Sequence, residues 1–161
     1  MTSAGASEQV AVYLAGARHE LERVRHWVTA LRSVPGLQVS WGACDGPETW
    51  EAPGGHPPSV PPHSAARAMF AGLRCASLVW VLWPDDASLC ECTAGALAYA
   101  LAHRWHVGPR LEIIVSGRGV HTSFLAQGAD ARLADDVLAY EICKKRGRAD
   151  RVANRGSRTR L

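Results

Sequence analysis

The run Ser77 to Trp83 (SLVWVLW) constrains the fold of this chain more than any other segment. It is a nearly continuous apolar stretch of strand length, and Pro84 ends it. A strand that is apolar on both faces has to be covered on both sides, which is typical of the centre of a parallel sheet. The run therefore predicts an α/β architecture with this strand in the middle of the sheet.

The N-terminal part of the chain shows a strand–helix–strand pattern. Val10 to Ala15 (VAVYLA) is a short strand-forming segment that ends at Gly16. From Leu21 to Leu31, apolar residues recur at spacings of three and four, which predicts an amphipathic helix. Pro35-Gly36 stops that helix, and Leu37 to Trp41 alternates as a second strand does. These elements make one βαβ unit.

The rest of the chain continues this alternation after one long interruption. Residues 42–63 hold ten Gly or Pro among twenty-two, which predicts a loop without regular structure. Beyond it we predict three helices, at Ser64 to Cys75, Ser88 to His106 and Asp135 to Cys143. In addition to the run at Ser77 to Trp83, we predict one more strand, at Leu111 to Ser116. The pattern predicts a single doubly wound α/β domain with a mainly parallel sheet, of the three-layer flavodoxin or Rossmann type, over residues 10–143.

The two ends of the chain are expected to lie outside this domain. Residues 1–9 read as a flexible N-terminus. Eight of the eighteen Lys and Arg residues lie within residues 144–161, whereas residues 1–143 carry more acid than base. This tail is poor in apolar residues, so we predict a basic, disordered extension. Only this tail is a candidate to bind nucleic acid, and the alternative is that it merely improves solubility.

Cysteine usage and hydropathy indicate the compartment. The five cysteines are odd in number and irregularly spaced, which favours reduced thiols. No stretch is apolar for long enough to cross a bilayer, and the first ten residues lack the pattern of a secretion signal. We therefore expect a cytoplasmic protein, and we predict neither a metal nor another cofactor.

The segment Pro84 to Glu91 is the strongest candidate for chemistry. It places Asp85, Asp86 and Glu91 at a strand-to-helix junction, where ligands of doubly wound sheets bind. Carboxylates close together can divide acid, base and nucleophile roles. Asp86 could instead cap the helix, and spacing leaves Glu91 on either the core face or the exposed face.

Further along, Gly117-Arg-Gly119 is either a backbone anion cradle or a plain turn.

The order of these segments resembles the nucleoside 2-deoxyribosyltransferase superfamily over roughly residues 10–143. The resemblance rests on VYLAG in the first strand and on an apolar strand that leads to an Asp-rich turn, with a Glu six residues after an Asp. It implies that Glu91 is the nucleophile on the anomeric carbon of the sugar. It also implies that Asp85 positions the sugar or handles a proton, and that Tyr13 orients Glu91.

The sequence thus predicts an enzyme that cleaves or transfers the N-glycosidic bond of a nucleoside or nucleotide. Substrate contacts are predicted for Gly16, Asp86 and Ser88, while Trp41 and Trp50 are candidates to stack on a base or to pack beneath the loop. Ser77 and Thr93 depart from the pattern of the family, so a non-catalytic nucleotide-binding or sensing module of the same fold stays open. Whether the chain forms a homo-oligomer also stays open.

Overall fold

The computed structural model describes residues 9–42, 50–51, 62–85, 91–108 and 110–157. The strands in these ranges are β1 Val10–Ala15, β2 Leu37–Gly42, β3 Trp50–Glu51, β4 Leu78–Leu82, β5 Glu112–Ser116 and β6 Ala131–Leu133. The helices are α1 Leu21–Arg32, α2 Pro62–Cys75, α3 Glu91–Val107 and α4 Asp136–Ser157. Short 3₁₀ turns occupy Arg18–Glu20, Val120–Thr122 and Leu125–Gly128.

All of these strands belong to one sheet in the order β3-β2-β1-β4-β5-β6. Five strands run parallel, and the two-residue β3 pairs antiparallel with β2 at the edge. β4 is the apolar run of the sequence, and it lies between β1 and β5 with every residue buried. The predicted α/β fold with a doubly wound, mainly parallel sheet is confirmed.

Helices cover both faces of the sheet and create two apolar cores. On one face α1 and α4 enclose Val12 and Leu14 of β1, and on the other face α2 and α3 enclose Tyr13 and Ala15. This alternation follows from the two-residue period of a strand. None of the helices in the described ranges is long and apolar enough to cross a membrane.

Two short strands were not predicted. β3 lies inside residues 42–63, so the expectation that this segment holds no regular element is wrong at Trp50–Glu51, and α2 begins before its end, at Pro62. β6, at the other edge, has three residues with no apolar run. Edge strands need a partner on one side only, so they leave a weak trace in the hydropathy pattern. Residues 43–49 and 52–61 of the predicted loop and residues 1–8 lie outside the described part.

The last helix is longer than predicted. We expected it to end at Cys143 and the chain to be disordered from residue 144, but α4 continues to Ser157. Gly147 allows α4 to approach the start of β2, because a β-carbon there would lie 2.8 Å from Cδ2 of Leu37 and 3.1 Å from the carbonyl oxygen of Pro35. Arg146 also donates a 2.7 Å hydrogen bond to Glu112 at the start of β5. The helix therefore contacts the domain at Arg146 and Gly147, beyond the predicted end of the domain.

Candidate functional site

The strand order places a topological switch point between β1 and β4. From β1 the chain passes outward to β2, and later it returns to β4 on the opposite side of β1. In doubly wound sheets, ligands bind outside the carboxyl ends of the strands at such a switch point. Here β1 leads into Gly16 and β4 leads into Trp83–Asp85. The acidic segment of the sequence thus begins at the switch point.

Asp85 joins three loops at this edge of the sheet. Its backbone N–H donates to Oε1 of Glu20, which follows β1, at 3.2 Å. Its carboxylate Oδ1 accepts the backbone N–H of Arg118, which follows β5, also at 3.2 Å. The side chain itself is exposed to solvent. Asp85 is therefore held at its backbone and at one carboxylate oxygen, beyond the carboxyl end of β4.

The other acidic candidates are only partly described. Glu91 is the first residue of α3, two residues before Thr93, which is fully buried. Its side chain, like the whole of Asp86 and Ser88, lies outside the described part of the structure. The roles predicted for these three residues stay predictions.

Tyr13 occupies a closed position between two glycines. It is 2 % exposed, and a β-carbon at Gly72 would lie 2.7 Å from its Cε2, while one at Gly42 would collide with its hydroxyl. None of the described residues hydrogen bonds with that hydroxyl. Burial raises the pKa of Tyr13 far above its ordinary range, so the hydroxyl keeps its proton. In the described structure it is an orphan polar group, and its contact with Glu91 stays a prediction.

Tyr13→Phe is expected to leave the free energy of unfolding unchanged or to raise it by up to about 1 kcal/mol, because it removes a buried hydroxyl that has no described partner. Urea denaturation of both proteins measures this difference. A loss above about 1 kcal/mol would show that the hydroxyl makes a hydrogen bond that stabilises the fold.

Two of the predicted substrate-binding residues have a packing function. Gly16 is buried, and a β-carbon there would collide with the side chain of Val24 in α1, so glycine is needed for the helix to approach the sheet. Trp41 is 6 % exposed and belongs to the core between the sheet and α1. Stacking of Trp41 on a base and its packing beneath the loop both stay predictions, since residues 43–49 lie outside the described part of the structure.

Trp50 is positioned at the carboxyl end of β2. Its backbone pairs with Gly42 in the antiparallel β3–β2 ladder. The ladder brings this part of the predicted loop to the edge of the sheet where the candidate site lies. The stacking role of its indole stays a prediction, because the side chain lies outside the described part of the structure.

Sequence reasoning missed a polar cluster centred on Asp136. Its carboxylate accepts two hydrogen bonds from Arg23, through Nε to Oδ2 at 2.7 Å and through Nη2 to Oδ1 at 2.9 Å. It accepts two more, from Nε1 of Trp27 at 3.1 Å and from the hydroxyl of Ser116 at 2.6 Å. The Ser116 hydroxyl in turn accepts a 2.7 Å hydrogen bond from Nε1 of Trp80. The cluster ties α1, β4, β5 and α4 together beneath the candidate site.

The environment of Asp136 makes it a structural carboxylate. Four hydrogen bonds use the acceptor capacity of its two oxygens. Burial alone would raise the pKa of Asp136, but the hydrogen bonds from Arg23 and Ser116 and the charge of Arg23 outweigh it and hold the pKa below its ordinary value. A saturated carboxylate that stays ionised is unsuited to proton transfer. Local sequence offered no signal, since Asp135 is the residue that caps α4, by accepting the N–H of Val137 at 2.8 Å.

In the turn after β5, the backbone N–H groups of Gly117 and Arg118 are both bonded within the protein. The N–H of Gly117 donates to the carbonyl oxygen of Leu133, and the N–H of Arg118 donates to Asp85. Gly117 has φ +140°, and a β-carbon there would collide with the carbonyl oxygen of Trp83. The glycine therefore allows the backbones of the loops after β4 and β5 to lie close together, as a glycine in a plain turn can.

Comparison with protein-family models, with curated proteins and with solved structures gives no match for this chain. The function therefore has to be argued from its own residues.

Proposed function

We propose that this protein binds a nucleoside or nucleotide at the switch point between β1 and β4 and cleaves or transfers its N-glycosidic bond. The observation that carries the proposal is the position of Asp85. It follows the central buried strand, it is fixed by Glu20 and Arg118, and α3 begins at Glu91 six residues later. Two acidic residues that follow the central strand of a doubly wound sheet suit an enzyme that acts on a sugar.

In the proposed reaction Glu91 acts as nucleophile. A carboxylate oxygen forms a bond to the anomeric carbon as the C–N bond to the base breaks, through an oxocarbenium-like transition state. The electron pair of the broken bond stays on the base nitrogen, which takes a proton from Asp85 or from water. Water or a second base then attacks the anomeric carbon, loses a proton to Asp85 or to solvent, and releases the Glu91 carboxylate. Water makes the enzyme a hydrolase, and a second base makes it a transferase.

The described residues divide the remaining roles. Tyr13 keeps its proton, so it can orient a neighbouring carboxylate but cannot act as a base. Asp136 is committed to Arg23 and Ser116, so it belongs to the framework of the site. The proposed ligand is a small molecule, and the proposed location is the cytoplasm.

A second candidate is a nucleotide-binding module without chemistry. It is favoured by the hydrogen bond from the N–H of Arg118 to Asp85, because this contact gives the Asp85 carboxylate a structural role that needs no catalysis. In that case the protein binds its ligand at the same switch point and does not cleave it.

Incubation of the purified protein with deoxynucleosides, ribonucleotides and NAD, followed by chromatography, tests the proposal. We expect free base from at least one class of substrate. Retained ligand without free base would support the binding module, and neither binding nor base release would contradict both candidates.

A further inference from the structure

The start of α1 is bonded to both ends of the turn that follows β4. Oε1 of Glu20 accepts the N–H of Asp85 at 3.2 Å, and Oε2 of Glu20 accepts Nη1 of Arg23 at 2.8 Å. The same nitrogen of Arg23 donates to the carbonyl oxygen of Trp83 at 2.9 Å. Two side chains thus hold Trp83 and Asp85 from one side.

These two side chains are themselves anchored. Glu20 is 15 % exposed and Arg23 is 17 % exposed. Arg23 makes its paired hydrogen bonds to Asp136 in addition to the contact with Glu20. A bidentate, charge-assisted pair fixes the plane of the guanidinium, so Arg23 cannot follow the turn if the turn moves. The anchored framework therefore determines where the backbone of Asp85 lies.

We infer that Glu20 and Arg23 are positioning residues that set the location of the Asp85 carboxylate in the candidate site. This inference rests on the proposed function as far as catalysis is concerned. Neither side chain is assigned a contact with substrate. Glu20 acts through the N–H of Asp85, and Arg23 acts through Glu20 and the Trp83 carbonyl. Asp85 then passes the constraint on to the loop after β5, through its hydrogen bond with Arg118.

Glu20→Ala removes both links and Glu20→Gln weakens them, because an amide cannot accept from Asp85 and Arg23 through two equivalent oxygens. For the nucleoside that the wild type cleaves, we expect Glu20→Ala to lower kcat about 10- to 100-fold while KM changes less than about threefold, since the substrate still binds but the carboxylate is misplaced. The kcat of Glu20→Gln should lie between those of Glu20→Ala and the wild type. The control is Glu22→Gln, which changes a 92 % exposed carboxylate two residues later, in α1, and should leave kcat unchanged.

Hydrogen exchange of backbone amides tests the positioning without any substrate. In Glu20→Ala the Asp85 amide should exchange about tenfold faster, and that of Arg118 should also accelerate, while β4 keeps its protection. Unchanged exchange at Asp85 overturns the inference, as does a kcat equal to that of the wild type. If the wild type cleaves no nucleoside but Asp85 exchanges faster in the variant, the proposed function fails and the positioning of the turn is supported.

Discussion

Asp136→Asn is expected to lower the free energy of unfolding by about 2–3 kcal/mol, because the amide replaces a largely buried carboxylate that accepts four hydrogen bonds and forms a bidentate ion pair with Arg23. The side chain is 15 % exposed, and its carboxylate accepts four hydrogen bonds. An asparagine keeps the shape but turns an NH₂ group toward donors of Arg23, Trp27 or Ser116. Urea denaturation followed by circular dichroism measures the loss.

The neighbouring position supplies a matched control. Asp135→Asn removes the same charge one residue earlier, but asparagine caps a helix about as well as aspartate, so the change in stability should stay within about 0.5 kcal/mol. Equal losses at both positions would contradict the special role of Asp136.

The acid dependence of stability gives a second check on Asp136. Because its folded-state pKa is lowered, its contribution is fully present above the unfolded value of about 3.9 and is lost as pH falls through the folded pKa. The difference in stability between the wild type and Asp136→Asn should therefore be constant from neutral pH down to about pH 5 and shrink below about pH 4. A difference that does not shrink in acid would show that the carboxylate charge is not what stabilises the cluster.

Glu91→Gln is expected to lower the rate of base release at least about a thousandfold, because an amide cannot form the covalent bond to the anomeric carbon. The substitution lies at the first residue of α3 and preserves side-chain size, so the fold should be retained. Chromatography of released base measures the rate, and circular dichroism checks the fold. Glu141→Gln removes an exposed-surface ion pair with Lys144 and should leave the rate unchanged. Turnover at the wild-type rate by Glu91→Gln would exclude Glu91 as the nucleophile.

The sequence predicted the fold where burial alone decides it. The run that became β4 is apolar on both faces and is buried throughout, and the spacing in α1 placed Val24, Val28 and Leu31 on its buried face. Such periodicities lie within one segment of the sequence, so they predict its structure without knowledge of the helices and strands that pack against it. Edge strands and the end of α4 depend instead on contacts distant in sequence, such as Gly147 against Leu37.

The candidate site was predictable only in part for the same reason. The topology of a doubly wound sheet predicted that ligands bind near the loop after β4, and the structure places Asp85 in that loop, beside Glu20. The framework around Asp85 joins residues far apart in the chain: Arg23 and Asp136 are separated by 113 positions. An arginine in an amphipathic helix and an aspartate at a helix start carry no local sign of such a pairing. Burial of Trp41 was likewise decided by α1 rather than by its own segment.

The anomeric configuration of the product tests the proposed mechanism most directly. The protein is mixed with a reactive deoxynucleoside and with methanol as acceptor, so that the sugar product cannot change configuration in water, and proton NMR identifies the methyl glycoside. A carboxylate nucleophile requires two displacements at the anomeric carbon, so we predict a product with the configuration of the substrate. A product of opposite configuration would show a single displacement by the acceptor and would contradict the covalent role of Glu91, and the absence of any released base would contradict the proposed activity itself.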